Sequence, residues 1–238
     1  MSKYIDKVNS ELSRVEARLV DKGFKDSDVI QAMGQVFDNF DDQNKLSLDV
    51  YRCKICSLRV SENRGPVPGS GPINSPLMII GEAPSTVEDL MGLPLVGESG
   101  MFFTITLIKA GVDRKLVRLT NIIKCRLPEG RSPISDDLAA CGIHLLNEIA
   151  IIKPKVILTL GNESLRYLSD DPNLKITQER GNWREIDGIQ VMPTFHPQYV
   201  LRQQTKEAKL LAKKQFWNDL TAAVTMAKTL APNYQFTN

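Results

Sequence analysis

The sequence predicts an α/β fold: a parallel sheet covered by helices on both faces, preceded by a helical extension. Two observations predict it. Short strand-like apolar runs ("PLMII", "LVRLTNIIKC", "KVILTLG") alternate with helical patterns from about residue 49 onward, and strands that alternate with helices favour a parallel sheet with helices on both sides. Before that point, apolar residues recur only at helical spacing.

Taken in order, Ile5, Val8, Leu12, Val15 and Leu19 form one helical stripe, which Gly23 can end. Ile30, Met33, Phe37 and Phe40 form a second, and "DNFDDQNK" reads as a solvated turn. Residues 1–47 are therefore assigned to a helical hairpin extension and residues 48–238 to the main domain. The extension either covers the main domain or docks a partner. "RGPVPGSGPINSP" is a Gly/Pro-rich loop leading into the strand "PLMII". "SGMFFTITLIKAG" is a helix ended by Gly111, "LVRLTNIIKC" a strand, and "SDDLAACGIHLLNEIAII" a helix with Ser135 as its N-cap. "KVILTLG" is a buried strand followed by the helix "NESLRYLS". "NWREIDGIQVMPTF" is a hairpin turning at Asp187-Gly188, then a last core strand. The pattern from Thr205 to Leu230 closes the chain as a helix.

A chain of 238 residues has room for one full domain and an extra element. The net charge of +2 does not announce nucleic-acid binding, so any DNA-facing basic surface is local. No run reaches the roughly 18 apolar residues that cross a bilayer. The first twenty residues carry charges throughout and lack the apolar core of a secretory signal. The expected location is the cytoplasm, either with the nucleoid or in an infected cell. There the thiols stay reduced, and paired cysteine spacing points to metal rather than disulfides. A dinucleotide-binding redox protein is excluded because no GxGxxG follows any strand.

In such sheets ligands bind at the carboxyl ends of the strands, which is where Gly81-Glu82, Asn121, Gly161 and His196 fall. The stretch "LMIIGEAPSTVED" leaves a buried strand through Gly81, Glu82, Ala83 and Pro84, and Ser85 can cap a helix. Cys53 and Cys56 form C-x2-C, and fifteen residues separate Cys125 from Cys141. Four thiolates suit either zinc or an iron–sulfur cluster, and the spacing does not choose between them. His144, one turn after Cys141, is a helix residue near the metal rather than a ligand.

The motifs "VPGSG", "LMIIGEAP", "GLPLVGESG", "LTNIIKCR", "VILTLG", "RGNW" and "TFHPQYVLR", with "SLR" after C-x2-C, follow one another in an order that resembles the family-4 uracil-DNA glycosylases. The resemblance runs from about Tyr51 to Arg202 and leaves out the extension. It implies a three-layer α/β/α sandwich around a four-stranded parallel sheet, and a 4Fe–4S cluster on Cys53, Cys56, Cys125 and Cys141, with zinc as the alternative. It also implies that the loop after the first strand lines a pocket for an extruded base. Gly81 would let backbone approach the base, Glu82 and its neighbouring amides would order water, and Ala83, Pro84, Ser85 and Leu95 would shape the pocket.

The expected chemistry is hydrolysis of the glycosidic bond of uracil, or a 5-substituted uracil, in single-stranded or duplex DNA. The nucleotide must first be flipped out of the stack. His196 is placed to donate to a uracil carbonyl as negative charge develops there, and Asn121 to read the base edge. No lysine falls in the matched pocket motifs, so no covalent Schiff base is expected. Ala83 cannot act as a base. Tyr199, Val200 or Leu201 would wedge into the vacated stack. Gln198 lies in the same DNA-facing loop, and Arg202, Lys124, Arg126 and Arg131 would meet phosphates.

Three positions depart from the family pattern: Leu95 where Phe is usual, Ser85 where Gly is usual, and Gln198 where Ser or Ala is usual. The preferred reading is an active glycosylase with weaker or shifted base preference. The alternative is a DNA-binding, replication-associated protein, with the extension docking a replication protein.

Overall fold

A computed structural model of the protein describes residues 2–37, 45–59 and 63–237. Its strands are β1 (Leu77–Gly81), β2 (Arg118–Asn121), β3 (Val156–Leu160), β4 (Arg184–Ile186) and β5 (Ile189–Thr194), in one sheet of order β2-β1-β3-β5-β4. Its helices are α1 (Ser2–Asp21), α2 (Asp26–Phe37), α3 (Lys45–Tyr51), α4 (Thr86–Met91), α5 (Glu98–Lys109), α6 (Ser135–Ile152), α7 (Asn162–Ser169), α8 (Ile176–Glu179), α9 (Pro197–Leu201) and α10 (Lys206–Leu230).

The strand period of two divides the core. Leu77 and Ile79 of β1 and Val156, Leu158 and Leu160 of β3 face one cluster, with Phe102 and Phe103 of α5 and Phe216 and Leu220 of α10. Met78 and Ile80 of β1 and Ile157 of β3 face the other, with Leu145 and Ile152 of α6 and the thiols of Cys125 and Cys141. This double burial is why the strands read as unbroken apolar runs.

Four strands are parallel, as expected, but the sheet has a fifth. β4 pairs antiparallel with β5 across the Asp187–Gly188 turn. Both turn residues have positive φ, 49° and 78°, the conformation that suits a two-residue hairpin. Two further expectations shift by a few residues. Ser135 is the first helical residue of α6 rather than its cap, and the Asp137 carboxylate accepts the Ile134 amide at 3.0 Å. The strand expected to reach Cys125 ends at Asn121, and the next four residues form a loop. The short helices α3 and α8 had no separate signal in the sequence. The turn over residues 38–44, with Phe40, lies outside the described residues.

The extension joins the core. Val15, Leu19, Val29 and Ala32 belong to the first cluster. Phe24 meets Phe102 edge-on at 5.6 Å, and the Lys213 ammonium sits 4.4 Å from the Phe24 ring centre. Lys22 pairs with Glu98, and Lys109 with Asp28 at 2.7 Å. Deleting residues 1–45 is therefore expected to uncover Phe102 and give an aggregating chain. Size-exclusion chromatography and thermal melting of the truncated protein check this; a stable monomer would show that the extension is dispensable.

Candidate functional site

The carboxyl ends of β1, β2 and β5 and the start of α7 open on one cleft of about 650 Å³. It gathers most of the residues expected from sequence: Glu82, Ala83, Pro84, Ser85, Leu95, Asn121, Arg126, Arg131, His196, Gln198, Tyr199 and Arg202. It also brings in Phe195 and Glu163, which sequence reading did not single out.

The floor is built by strand register. Gly81 stands beside Asn121 in the parallel β1–β2 pair. A Cβ on Gly81 would fall 2.3 Å from the Asn121 Oδ1, so only glycine fits. The chain after β2 then grips the chain after β1, with the Ile122 amide donating to the Gly81 carbonyl at 3.1 Å and the Ile123 amide to the Glu82 carbonyl at 2.9 Å. The Asn121 side chain is buried, and its Nδ2 has no hydrogen-bond partner among the described residues. A buried amide donor normally has a partner, so this one is available to a ligand.

One wall is the Gly92–Gly97 loop. Leu95 sits there with a left-handed φ of 54°, a conformation that costs a non-glycine residue about 1–2 kcal/mol. Buried contacts hold it. Arg114 donates to the carbonyls of Leu95 (2.7 Å) and Pro94 (2.5 Å) and to Thr104 Oγ1 (2.9 Å). Burial pushes the Arg114 guanidinium down to about 9, against the opposing pull of Glu88. Glu88 accepts the amides of Val96 (3.2 Å) and Ser85 (2.6 Å), while Ser85 Oγ caps α4 by accepting the Glu88 amide. Ser85 is thus a capping-box residue as well as a cleft residue. Arg114 and Glu88 drew no attention in the sequence because neither lies in a motif that announces burial.

The opposite wall follows β5. His196 is the N-cap of α9, and its Nδ1 accepts the Gln198 amide at 3.2 Å. That bond fixes the tautomer, leaving Nε2 to carry the proton. Burial, reinforced by the Arg202 charge, lowers the ring's pKa to about 4, so the imidazole is neutral at physiological pH. The rings of Phe195 and Tyr199 stack at 4.4 Å. Of the three residues expected to wedge into DNA, Tyr199 is exposed, whereas Val200 and Leu201 are buried in the core. The expectation for Leu201 is therefore corrected: on a helix of one and a half turns, its side faces inward.

The cleft carries both signs of charge. Glu82 is raised above the ordinary carboxylate range, first by burial and then by the neighbouring Glu163 carboxylate. Arg131 is held by Asp137 at 2.6 Å, and Arg126 faces Asp89 at 3.5 Å. Lys124, expected at a phosphate, is instead buried beneath the site and faces Glu148 at 3.4 Å. No lysine lines the cleft among the described residues.

The four cysteines lie on the α6 side of the sheet. All are free thiols, with Cys125 and Cys141 buried. Burial and the nearby thiols of Cys141, Cys56 and Cys53 push Cys125 up to about 12, and Cys141 is pushed up to about 11, again by burial first. The Lys124 amide donates to Cys141 Sγ at 3.1 Å, and Arg59 braces the C-x2-C turn by donating to the Cys53 carbonyl at 2.5 Å. The residues from C-x2-C, the loop after β2 and α6 thus converge. Among the described residues, however, no three His, Cys, Asp or Glu side chains are grouped so as to hold a single metal ion.

The fold, with its cleft at the strand ends, is that of a known class: residues 68–221 match the model of the uracil DNA glycosylase superfamily, and the chain belongs to that superfamily. Its relatives place it in family 4. It is 39% identical over 163 residues to the type-4 uracil-DNA glycosylase of Thermotoga maritima, covering 67% of this chain and 83% of that protein. It is 38% identical over 166 residues to the type-4 uracil-DNA glycosylase of Sulfurisphaera tokodaii, covering 66% and 74%. A DNA polymerase of Bacillus phage SP01 is 32% identical over 142 residues, 59% of this chain and 15% of that protein.

Proposed function

We propose that this protein excises uracil from DNA by hydrolysing its N-glycosidic bond, leaving an abasic site. The observation that carries the reading is the pairing, in one cleft, of an unpartnered buried amide on Asn121 with a histidine whose tautomer leaves an N–H to donate. The type-4 relatives favour the enzyme over a DNA-binding module without activity.

The nucleotide rotates out of the stack, at a cost of a few kcal/mol that is lowest in single-stranded or mismatched DNA. Tyr199, stacked on Phe195, fills the gap. The Asn121 amide supplies one donor and one acceptor to the uracil edge, a match for O4 and N3–H. His196 Nε2–H donates to O2, where charge collects as the bond to the sugar breaks. Glu82 is the cleft's basic carboxylate; it orients and deprotonates water, which attacks the sugar cation. Arg202 and Gln198 meet the backbone, and Arg126 and Arg131 do so by exchanging carboxylate partners for phosphate.

The donor set fits a 4Fe–4S cluster on Cys53, Cys56, Cys125 and Cys141. Four cysteine thiolates are the ligand number of such a cluster, zinc being the alternative, and the type-4 relatives favour the cluster. Cys53 and Cys56 of the C-x2-C turn, Cys125 of the loop after β2 and Cys141 of α6 would hold such a cluster, which would supply a structural tie between three chain segments. Thiols that stay reduced for it suit the cytoplasm. The expected partner is uracil-containing DNA. Val15, Leu19, Val29 and Ala32 of the extension pack on the core and Val20 is exposed, so a replication protein docking there would meet the outer face of α1.

The test combines two measurements. Anaerobically purified protein should carry about four irons per chain and should convert an oligonucleotide with one uracil into an alkali-labile product. A protein that binds DNA but leaves uracil and 5-substituted uracils intact would reverse the reading, and one zinc without iron would reverse the metal assignment.

A further inference from the structure

Five residues, Asn121 to Cys125, connect the base cleft to the thiol centre, and one buried side chain closes them into a unit. Asn121 faces the cleft, Ile122 and Ile123 hold the Gly81 and Glu82 carbonyls, the Lys124 amide reaches Cys141 Sγ, and Cys125 is itself one of the thiols. The Lys124 side chain, 1% exposed, folds back under this loop. Its ammonium donates to the Asn121 carbonyl at 2.8 Å, to Thr120 Oγ1 at 2.6 Å and to Glu148 Oε1 at 3.4 Å. Glu148 also faces Arg118 at 3.5 Å, and both are fully buried. Arg118 in turn donates to the Gly71 carbonyl at 2.7 Å.

Three charges buried together are costly, and apolar residues of similar size often stabilise a fold as well or better. Packing alone does not call for a lysine here. Its ammonium does what no apolar side chain can: it fixes the main chain of the residue that faces the base. We propose that Lys124 is a positioning residue for uracil recognition, holding the Asn121 backbone so that its amide meets the base edge, and linking that geometry to the loop that carries Cys125. The proposal rests on the reading of Asn121 as the base-contacting amide. Removing Lys124 leaves Glu148 paired with Arg118, so the fold keeps a partner for its buried carboxylate while the Asn121 carbonyl loses its donor.

The experiment is a double-mutant cycle of Lys124→Met and Asn121→Ala. It is read as kcat/KM for uracil excision and as affinity for an oligonucleotide carrying 2′-fluoro-deoxyuridine, whose electron-poor sugar resists cleavage. Iron content and the denaturation midpoint are measured in parallel. Lys124→Met is expected to lower uracil excision about tenfold with iron retained, and to cause no further loss when Asn121 is already alanine, the non-additivity of groups acting through one another. Additive losses, or losses that follow the iron content, would show a merely structural lysine and overturn the proposal. Lys124→Arg, which keeps the charge but moves the donors, covers a Lys124→Met protein that does not fold: reduced excision at normal iron content supports the proposal, and unchanged excision overturns it. A wild type that neither excises uracil nor prefers the fluorinated oligonucleotide over undamaged DNA would instead sink the functional reading, and the role assigned to Lys124 with it.

Discussion

His196→Ala is expected to lower uracil excision by about 10²–10³-fold, the usual loss when one donor to a developing anion is removed, while the protein keeps its fold and its affinity for DNA. Single-turnover cleavage of a uracil-containing oligonucleotide measures it. The pH profile sharpens the test. The Nδ1 of His196 accepts the Gln198 amide, and the ring's pKa is lowered to about 4, so the donor remains neutral through the range where a solvent-exposed histidine titrates. The acid limb of kcat/KM should then belong to Glu82, whose carboxyl is raised by burial and by Glu163. Glu163→Gln should move that limb to lower pH. Stability follows a separate rule. With a folded pKa of about 4 below the ordinary 6.5, the unfolded chain binds more protons between those values. The contribution of the neutral ring is complete above about 6.5 and is lost as pH falls through about 4. An acid limb that does not move in Glu163→Gln, with the fold intact, would show that it does not belong to Glu82.

Arg114→Met should destabilise the protein by about 1–3 kcal/mol or more, the cost of each buried acceptor left unsatisfied. The guanidinium holds the carbonyls of Pro94 and Leu95 from below, and Glu88 holds the Val96 amide. With Arg114 gone, Glu88 stays buried and Leu95 loses the bond that helps keep φ at 54°. Equilibrium denaturation gives the loss of stability. Hydrogen exchange should locate it first in residues 92–97, and uracil excision should fall because that loop forms a cleft wall. A variant with normal stability and an ordered loop would show that backbone packing, not the arginine, holds Leu95. The close fit of Gly100 beneath that residue, where a Cβ would lie 2.0 Å from the Leu95 carbonyl carbon, is the other constraint on the loop.

What was legible in the sequence is what short-range pattern controls. Strand runs that are apolar at consecutive positions signalled burial on both faces, and β1, β3 and β5 lie where those runs stand. The Asp187-Gly188 turn signal produced the β4–β5 hairpin, and the stripe of α10 runs from its Thr205 cap to Leu230. Glu82, Asn121 and His196 stood at strand ends, and a parallel sheet brings strand ends to one edge, so their meeting in a single cleft followed from topology, with Gly81 buried beside Asn121. The four cysteines proposed as ligands stood out because their spacing is itself a signal, and the structure brings their chain segments to one side of the sheet.

Only the tertiary structure decided which of the charged and apolar residues face inward, and against what. Lys124, Arg126 and Arg131 look alike in sequence, yet Lys124 is buried against Glu148, Arg131 is held by Asp137 and Arg126 faces Asp89. Leu201 and Tyr199 are two residues apart on one short helix, but one packs in the core and the other faces solvent. Glu163 gained its role from Glu82 across the cleft, and His196 its tautomer from a backbone amide. The reason is physical: a strand or helix is set by the period of its own residues, whereas burial, charge pairing and proton affinity are set by groups that arrive from distant parts of the chain.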